Sequence, residues 1–248
     1  MMLRRLFNKM PRMLIESKDN LEQAALYFGM LPFFPNSIKG FSVAEMAAPG
    51  MLFGGNDGYE GCWEWKGPVI QEQNTAYGKF FKRKAGFVTL ELLPDFLNYR
   101  RSKYPVKPDS TEAMILEIIR EHEGMTSTEL RKILNGMISE AGCMPTVYNP
   151  GIKEESETSG KLKRSSLEGP LQRLQMGGWL LIADFEYKLT RTGERYGWGV
   201  ALYSTPEIWF GKLPQTQRTP SESFEFLVSA LASRLPFGNK KAIRKLLE

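Results

Sequence analysis

A chain of 248 residues, 42% hydrophobic and 25% charged, has the make-up of a folded protein that is long enough to bury a real core. Cys62 and Cys143 are too few for a disulfide framework or a metal cage, and no apolar run approaches the roughly 18 residues of a membrane span. These features point to a reducing cytoplasm, with no membrane partner, no cofactor and no metal site. The net charge of +5 invites a nucleic-acid partner, but its distribution tempers that reading. Arg4, Arg5, Lys9 and Arg12 supply much of it at the start, and Lys240, Lys241, Arg244 and Lys245 add more at the end. The body between is nearly neutral, so a basic surface must come from local clustering.

The opening residues lack the uninterrupted apolar stretch of a secretory signal and read as a tail. Residues 19–28 form a first helix, with Ser17 or Asp19 as its cap, Ala24, Ala25 and Phe28 on the buried face, and Gly29 as its stop. Loops and short elements follow through the Gly-, Pro- and aromatic-rich stretch 31–57. Gly54-Gly55-Asn56-Asp57-Gly58 lacks the Lys-Ser/Thr of a phosphate loop and reads as a plain loop. Residues 62–70, 76–81 and 86–92 read as strands, the last two joined by a charged turn at 82–85. Pro94 opens a short helix at 95–101, and residues 103–109, with two prolines, form a linker.

Beyond the linker the pattern sharpens. Residues 111–123 make a helix with Met114, Ile115, Ile118 and Ile119 on one stripe. Thr126 and Glu129 form a capping box for a second helix that buries Leu130, Ile133 and Leu134. Residues 135–164 are polar and rich in Gly, Ser, Glu and Lys, and read as a surface loop. A third helix covers 169–176, with Pro170 in its first turn and Leu171 and Leu174 inward. Two strands follow, 179–189 and 196–204, around the turn Thr192-Gly193-Glu194. A helix at 221–234, with Phe224, Leu227, Val228 and Leu231 at helical spacing, and a short basic helix from Asn239 close the chain. The apolar stripe of the penultimate helix suits either docking on the body or pairing in a homodimer.

The order helix, helix, helix, hairpin is that of a winged helix-turn-helix. The fold class is therefore α+β: a small α+β region with an antiparallel hairpin at 17–104, the winged helix-turn-helix at 110–206, and a C-terminal helical extension at 219–248. In a winged helix the third helix enters the major groove, which puts Gln172 and Arg173 at base edges or phosphates. Lys161, Lys163 and Arg164 before that helix, and Arg191 and Arg195 on the wing, are the flanking phosphate contacts. Duplex DNA is the partner these residues suit. The competing reading makes them ordinary solvated charges on a protein-interaction module.

Several blocks resemble one family. They are Trp63-Glu64-Trp65-Lys66-Gly67-Pro68, Tyr77-Gly78-Lys79-Phe80-Phe81, Lys84-Ala85-Gly86-Phe87-Val88, Pro94-Asp95-Phe96 with Asn98-Tyr99-Arg100-Arg101, Leu174-Gln175-Met176, Asp184-Phe185-Glu186-Tyr187 and Tyr196-Gly197-Trp198-Gly199. Together they resemble the bacterial proteins labelled AlkZ-related, over about 20–206. The resemblance implies kinship with AlkZ-type DNA glycosylases, enzymes built from winged helices that excise alkylated or crosslinked bases. Those enzymes carry a Gln-hydrophobic-Gln motif that positions water at the sugar. The nearest spacing here is Gln71-Glu72-Gln73, whose middle residue departs from the motif and which falls in a polar turn.

Base excision also needs a pocket for a flipped nucleotide. Trp63, Trp65, Tyr77 and Phe80 are candidates to line it, against the commoner role of strand aromatics in a core. On a strand, Glu64 and Lys66 face away from the tryptophans into solvent, or pair with Asp95 or Arg100 if the sheet is covered on both sides. His122, near a helix C-terminus, has no nucleophile beside it. Two function classes stay open: a DNA-binding module in regulation or repair, and a divergent DNA glycosylase.

Overall fold

The computed structural model describes residues 14–54, 60–141, 164–193, 195–235 and 239–248. The first helix, α1 (Lys18–Phe28), starts where the Ser17 hydroxyl accepts the Asn20 N–H at 3.2 Å, and ends on Gly29 at φ 75°. Strand β1 (Met30–Pro32) and the single turn α2 (Val43–Met46) follow, two elements that the sequence pattern does not announce. Then come α3 (Cys62–Gln71), β2 (Thr75–Phe81), β3 (Lys84–Thr89) and α4 (Leu93–Lys103). The strands make an antiparallel sheet in the order β1-β3-β2. Lys82 and Arg83 form the two-residue turn between β2 and β3, both at positive φ (49° and 69°), the geometry that matches the twist of a tight hairpin.

The expected strand at 62–70 is a helix. Its buried positions, Cys62, Lys66, Val69 and Ile70, recur at helical spacing. Its first N–H groups are satisfied from outside: Cys62 donates to the Met51 carbonyl at 2.7 Å and Trp63 to that of Leu52 at 3.0 Å. The Glu64 carboxylate closes the end by accepting the Gly61 N–H at 3.1 Å. Alternating Trp63 and Trp65 mimic a strand, and Pro68 argues against a helix interior, but tertiary capping overrides both.

The second unit runs α5 (Thr111–Glu121), β4 (Met125–Thr126), α6 (Ser127–Ala141), α7 (Arg164–Met176), β5 (Leu181–Leu189) and β6 (Arg195–Ser204). Its strands pair antiparallel in the order β4-β6-β5. Thr126 and Glu129 do form the reciprocal cap of α6, with Thr126 N–H to carboxylate at 2.8 Å. Two expectations need correction. Residues 135–141 continue α6 rather than opening a loop, while 142–163, with Lys161 and Lys163, lie outside the described residues. The third helix begins at Arg164, not 169, so Pro170 sits inside it. Pro170 is buried, and that packing offsets the backbone bond the ring removes.

The chain closes with α8 (Pro206–Phe210), α9 (Pro220–Arg234), capped by a Thr219–Glu222 box, and α10 (Lys240–Leu247), capped by Asn239. One hydrophobic cluster gathers α1, the first sheet, α3 and α4 with Leu181, Ile182 and Ala183 of β5 and with Leu227, Val228, Leu231, Ile243, Leu246 and Leu247. The final helices are thus docked on the N-terminal core. A second cluster joins Ile115, Leu116, Ile118 and Ile119 of α5 to Leu130, Leu134, Leu167, Leu171 and Leu174. The β5–β6 hairpin is rooted in the first cluster and becomes solvent-exposed towards its tip.

Candidate nucleic-acid interface

The hairpin gives the site its framework. At its root the Gln71 side-chain amide, at the end of α3, donates to the Ala183 carbonyl of β5 at 2.9 Å. Gln73, at φ 56° in the turn after α3, donates to the Trp209 carbonyl of α8 at 3.2 Å. Both candidate catalytic glutamines are therefore bound to backbone, tying α3 to the hairpin and to α8. At the far end Lys188, Arg191 and Arg195 are all exposed, and the Arg195 guanidinium lies 4.9 Å from the Tyr187 ring centroid.

Beside the hairpin stands an aromatic cluster that no strand pattern predicts. Trp198 of β6, 69% exposed, meets Trp63 of α3 edge-to-face, with ring centroids 5.3 Å apart and planes at 89°. Phe53, 54% exposed, stands 5.8 Å from Trp63 and 6.4 Å from Trp198. Phe53 is held there because the preceding carbonyls, Met51 and Leu52, cap α3. Gly61 permits that approach: a Cβ on it would fall 2.3 Å from the Gly54 nitrogen. Trp63 in turn packs on Phe33 and Phe34.

Beneath Trp63 lies Lys66, 1% exposed. Its ammonium donates to the Trp63 carbonyl and sits 3.8 Å from the Trp63 ring centroid and 4.3 Å from that of Phe185. Burial pushes its pKa down to about 8, against a smaller upward pull from Glu64. The solvated face expected for Lys66 is thus wrong, because the helix turns it inward. Nor does a Glu64 or Lys66 pair with Asp95 or Arg100 form. Asp95 of α4 is buried against α9 and the segment before it, where it accepts from Ser223, Thr216 and Arg218 at 2.7, 2.9 and 3.0 Å. Arg100 is buried too, donating to the Phe80 carbonyl. Burial of the Tyr187 hydroxyl raises its pKa, with Glu64 adding to the effect.

The other expected residues scatter. Tyr77 and Phe80 are core side chains, Tyr77 packed on Phe33, Phe87 and Phe185, and Phe80 on Phe96. Trp65 is half-buried at the edge of the first cluster. On α7, Arg173 pairs with Glu112 of α5, and Gln172 is half-buried. The neighbouring Gln175 is buried, its carbonyl oxygen accepting the Lys79 N–H of β2 at 3.1 Å. The N-terminal sheet therefore covers one side of α7. Arg164 opens α7, and its side chain lies outside the described residues. His122 caps α5, its Nδ1 2.9 Å from the Ile118 carbonyl. Among the described residues there is no cluster of three or more His, Cys, Asp or Glu placed to hold a metal ion, and no helix long and apolar enough to cross a membrane.

A family model described as AlkZ related matches residues 15–248. The chain belongs to the AlkZ-related family. Among solved structures, this AlkZ-related chain is similar to the Streptomyces sahachiroi DNA glycosylase AlkZ, at 13% identity and a TM-score of 0.48. The similarity covers 99% of this chain but 62% of that one, so the AlkZ-related chain spans less than two thirds of its neighbour's length. A comparison with curated proteins finds no match.

Proposed function

We propose that this protein binds duplex DNA through residues 110–206, acting as a winged helix, in a DNA-repair setting. The observation that carries the reading is the β5–β6 hairpin, which extends exposed Lys188, Arg191 and Arg195 from a sheet that closes a three-helix unit. Three helices followed by a two-stranded wing is the order of a winged helix-turn-helix. Clustered cations at the tip suit the phosphate backbone. Membership of the AlkZ-related family supports the repair context.

The contact moves from the third helix to the wing. Among the described side chains of α7, Arg173 is paired with Glu112, and β2 lies on one side of the helix. The wing cations are exposed. The test is fluorescence anisotropy of a labelled duplex across a salt series. Affinity falls steeply with salt in the wild type, and Arg191→Ala with Arg195→Ala lowers the salt slope by about 2. Affinity that ignores both salt and the substitutions refutes the proposal and leaves a protein-interaction role.

A second reading, N-glycosidic bond hydrolysis on damaged DNA, draws on the aromatic cluster at Trp63 beside the wing. It would require Gln71 and Gln73 to leave the Ala183 and Trp209 carbonyls before either could position water. Release of a free base from alkylated duplex is its direct assay.

A further inference from the structure

Large apolar side chains crowd the solvent-facing part of the hairpin and its neighbour α3. Trp198 is 69% exposed, and Leu189, Tyr196 and Phe53 are each at least half exposed. The contiguous rings of Trp198, Phe53 and Trp63 within this region mark a contact site. Its rings are also fixed in place. The Gln71 bond roots the hairpin on α3, and the Met51 and Leu52 carbonyls hold the Phe53 segment to the start of the same helix. Trp198, Trp63 and Phe53 meet at 89°, 87° and 50°, so none of the three lies flat on another. Lys66 sits over one face of Trp63, while Trp198, the most exposed, meets its ring neighbours at steep angles. A planar partner can therefore lie on Trp198 without displacing a stacked ring.

Charge decides which planar partner fits. Exposed Lys188, Arg191 and Arg195 lie towards the tip, where the sequence also carries Glu194, and Asp184 and Glu186 lie closer to the root of the same hairpin. Glu64, Arg195 and Asp184 all act on the Tyr187 hydroxyl, Arg195 against the two acids, so charge of both signs lies near the aromatic cluster. The exposed cations towards the tip suit an anionic backbone, and the exposed ring of Trp198 beside them suits a flat group. Nucleic acid supplies both parts in one molecule: phosphates for the tip and a base for the rings.

We propose that Trp198, with Trp63 and Phe53, stacks an unpaired nucleobase of a DNA strand whose phosphates lie on Lys188, Arg191 and Arg195. This site rests on the DNA contact proposed above and adds selectivity for duplexes with a displaced base. Stacking on one exposed aromatic is worth about five- to a hundredfold in affinity.

The experiment compares a perfect duplex with one carrying a single bulged 2-aminopurine, following anisotropy for binding and 2-aminopurine emission for stacking. The wild type binds the bulged duplex about tenfold more tightly, and the probe's emission is quenched. Trp198→Ala abolishes the preference and the quenching while perfect-duplex affinity holds. Trp198→Phe restores part of both, which separates stacking from misfolding. Arg191→Ala with Arg195→Ala weakens both duplexes alike. Equal wild-type affinity for the two duplexes, or unquenched emission, overturns the stacking site and leaves the DNA contact standing. No affinity for either duplex overturns both. A Trp198→Ala protein that changes from dimer to monomer in sedimentation overturns the site in favour of a second copy of this chain.

Discussion

The indole of Trp198, carried by β6, stands perpendicular to that of Trp63, carried by α3, at a centroid distance of 5.3 Å. The two residues are far apart in sequence and meet because the hairpin root and the end of α3 share a core. The third ring of the cluster, Phe53, is placed by a segment that packs on one glycine. Gly61 places its Cα against the 51–54 segment, where an added Cβ would fall 2.3 Å from the Gly54 nitrogen and 2.5 Å from the Met51 carbonyl oxygen. Gly61→Ala must push that segment off α3, costing about 1 to 3 kcal/mol, the usual range for overpacking against rigid atoms. Thermal or denaturant unfolding measures the loss, and Phe53 should become more mobile. An alanine variant as stable as the wild type would mean that the segment is free to shift.

Gln71 is a structural tie before it is anything else. Its amide bond to the Ala183 carbonyl anchors β5, so Gln71→Ala costs about 1 kcal/mol. The loss is local: hydrogen exchange quickens along β5, while the duplex contact proposed for the hairpin tip changes little. Unaltered exchange across β5 in the variant would remove the anchoring role and leave Gln71 free for catalysis.

What the sequence discloses is mostly local. The caps at Ser17, Thr126 with Glu129, and Asn239 rest on side chains next to the helices they start, and each is readable as spacing. So is the order of the three helices and the hairpin from Thr111 to Ser204, but not the two-residue strand β4 among them. The helix at α3 is not readable, because its cap comes from the carbonyls of Met51 and Leu52 rather than from a neighbouring side chain. The same holds for the site. The exposed cations of the β5–β6 hairpin are visible near a turn, but the partnership of Trp198 with Trp63 and the capture of Arg173 by Glu112 belong to tertiary structure.

Asp95 holds the C-terminal helices to the body. Its buried carboxylate collects Ser223, Thr216 and Arg218, and Asn98 adds bonds to the Ser223 hydroxyl at 2.9 Å and the Arg218 carbonyl at 2.8 Å. Asp95→Ala strands these donors and costs roughly 3 kcal/mol, since bonds to a charged group carry more than neutral ones. Asp95→Asn keeps the shape and loses less. Limited proteolysis should then cut first between α8 and α9 in the alanine variant. Equal stability of the aspartate, asparagine and alanine proteins would dissolve the anchor.

Lys66 gives stability a pH dependence whose sign can be worked out. Its amine has a folded pKa of about 8, below its ordinary 10.5, because burial penalises the charged form. Below pH 8 both folded and unfolded chains hold the proton, and the full penalty of burying an ammonium is present. Between about pH 8 and 10.5 the unfolded chain binds more protons than the folded one, so the unfolding free energy rises with pH. The rise is on the order of 3 kcal/mol at most, at about 1.4 kcal/mol for each pH unit separating the folded and unfolded values. Cys62 works the other way: burial lifts its thiol to about 11, so its contribution falls from pH 9 upward. The clean window for Lys66 is therefore pH 8 to 9, where urea unfolding of the wild type should show a positive slope that Lys66→Met removes. Methionine keeps the length and apolar stem under Trp63 without the charge. The variant should also be more stable than the wild type at pH 7, unless the ring contacts and the Trp63 carbonyl repay the ammonium in full. A slope that survives in the variant would assign the pH dependence to another group.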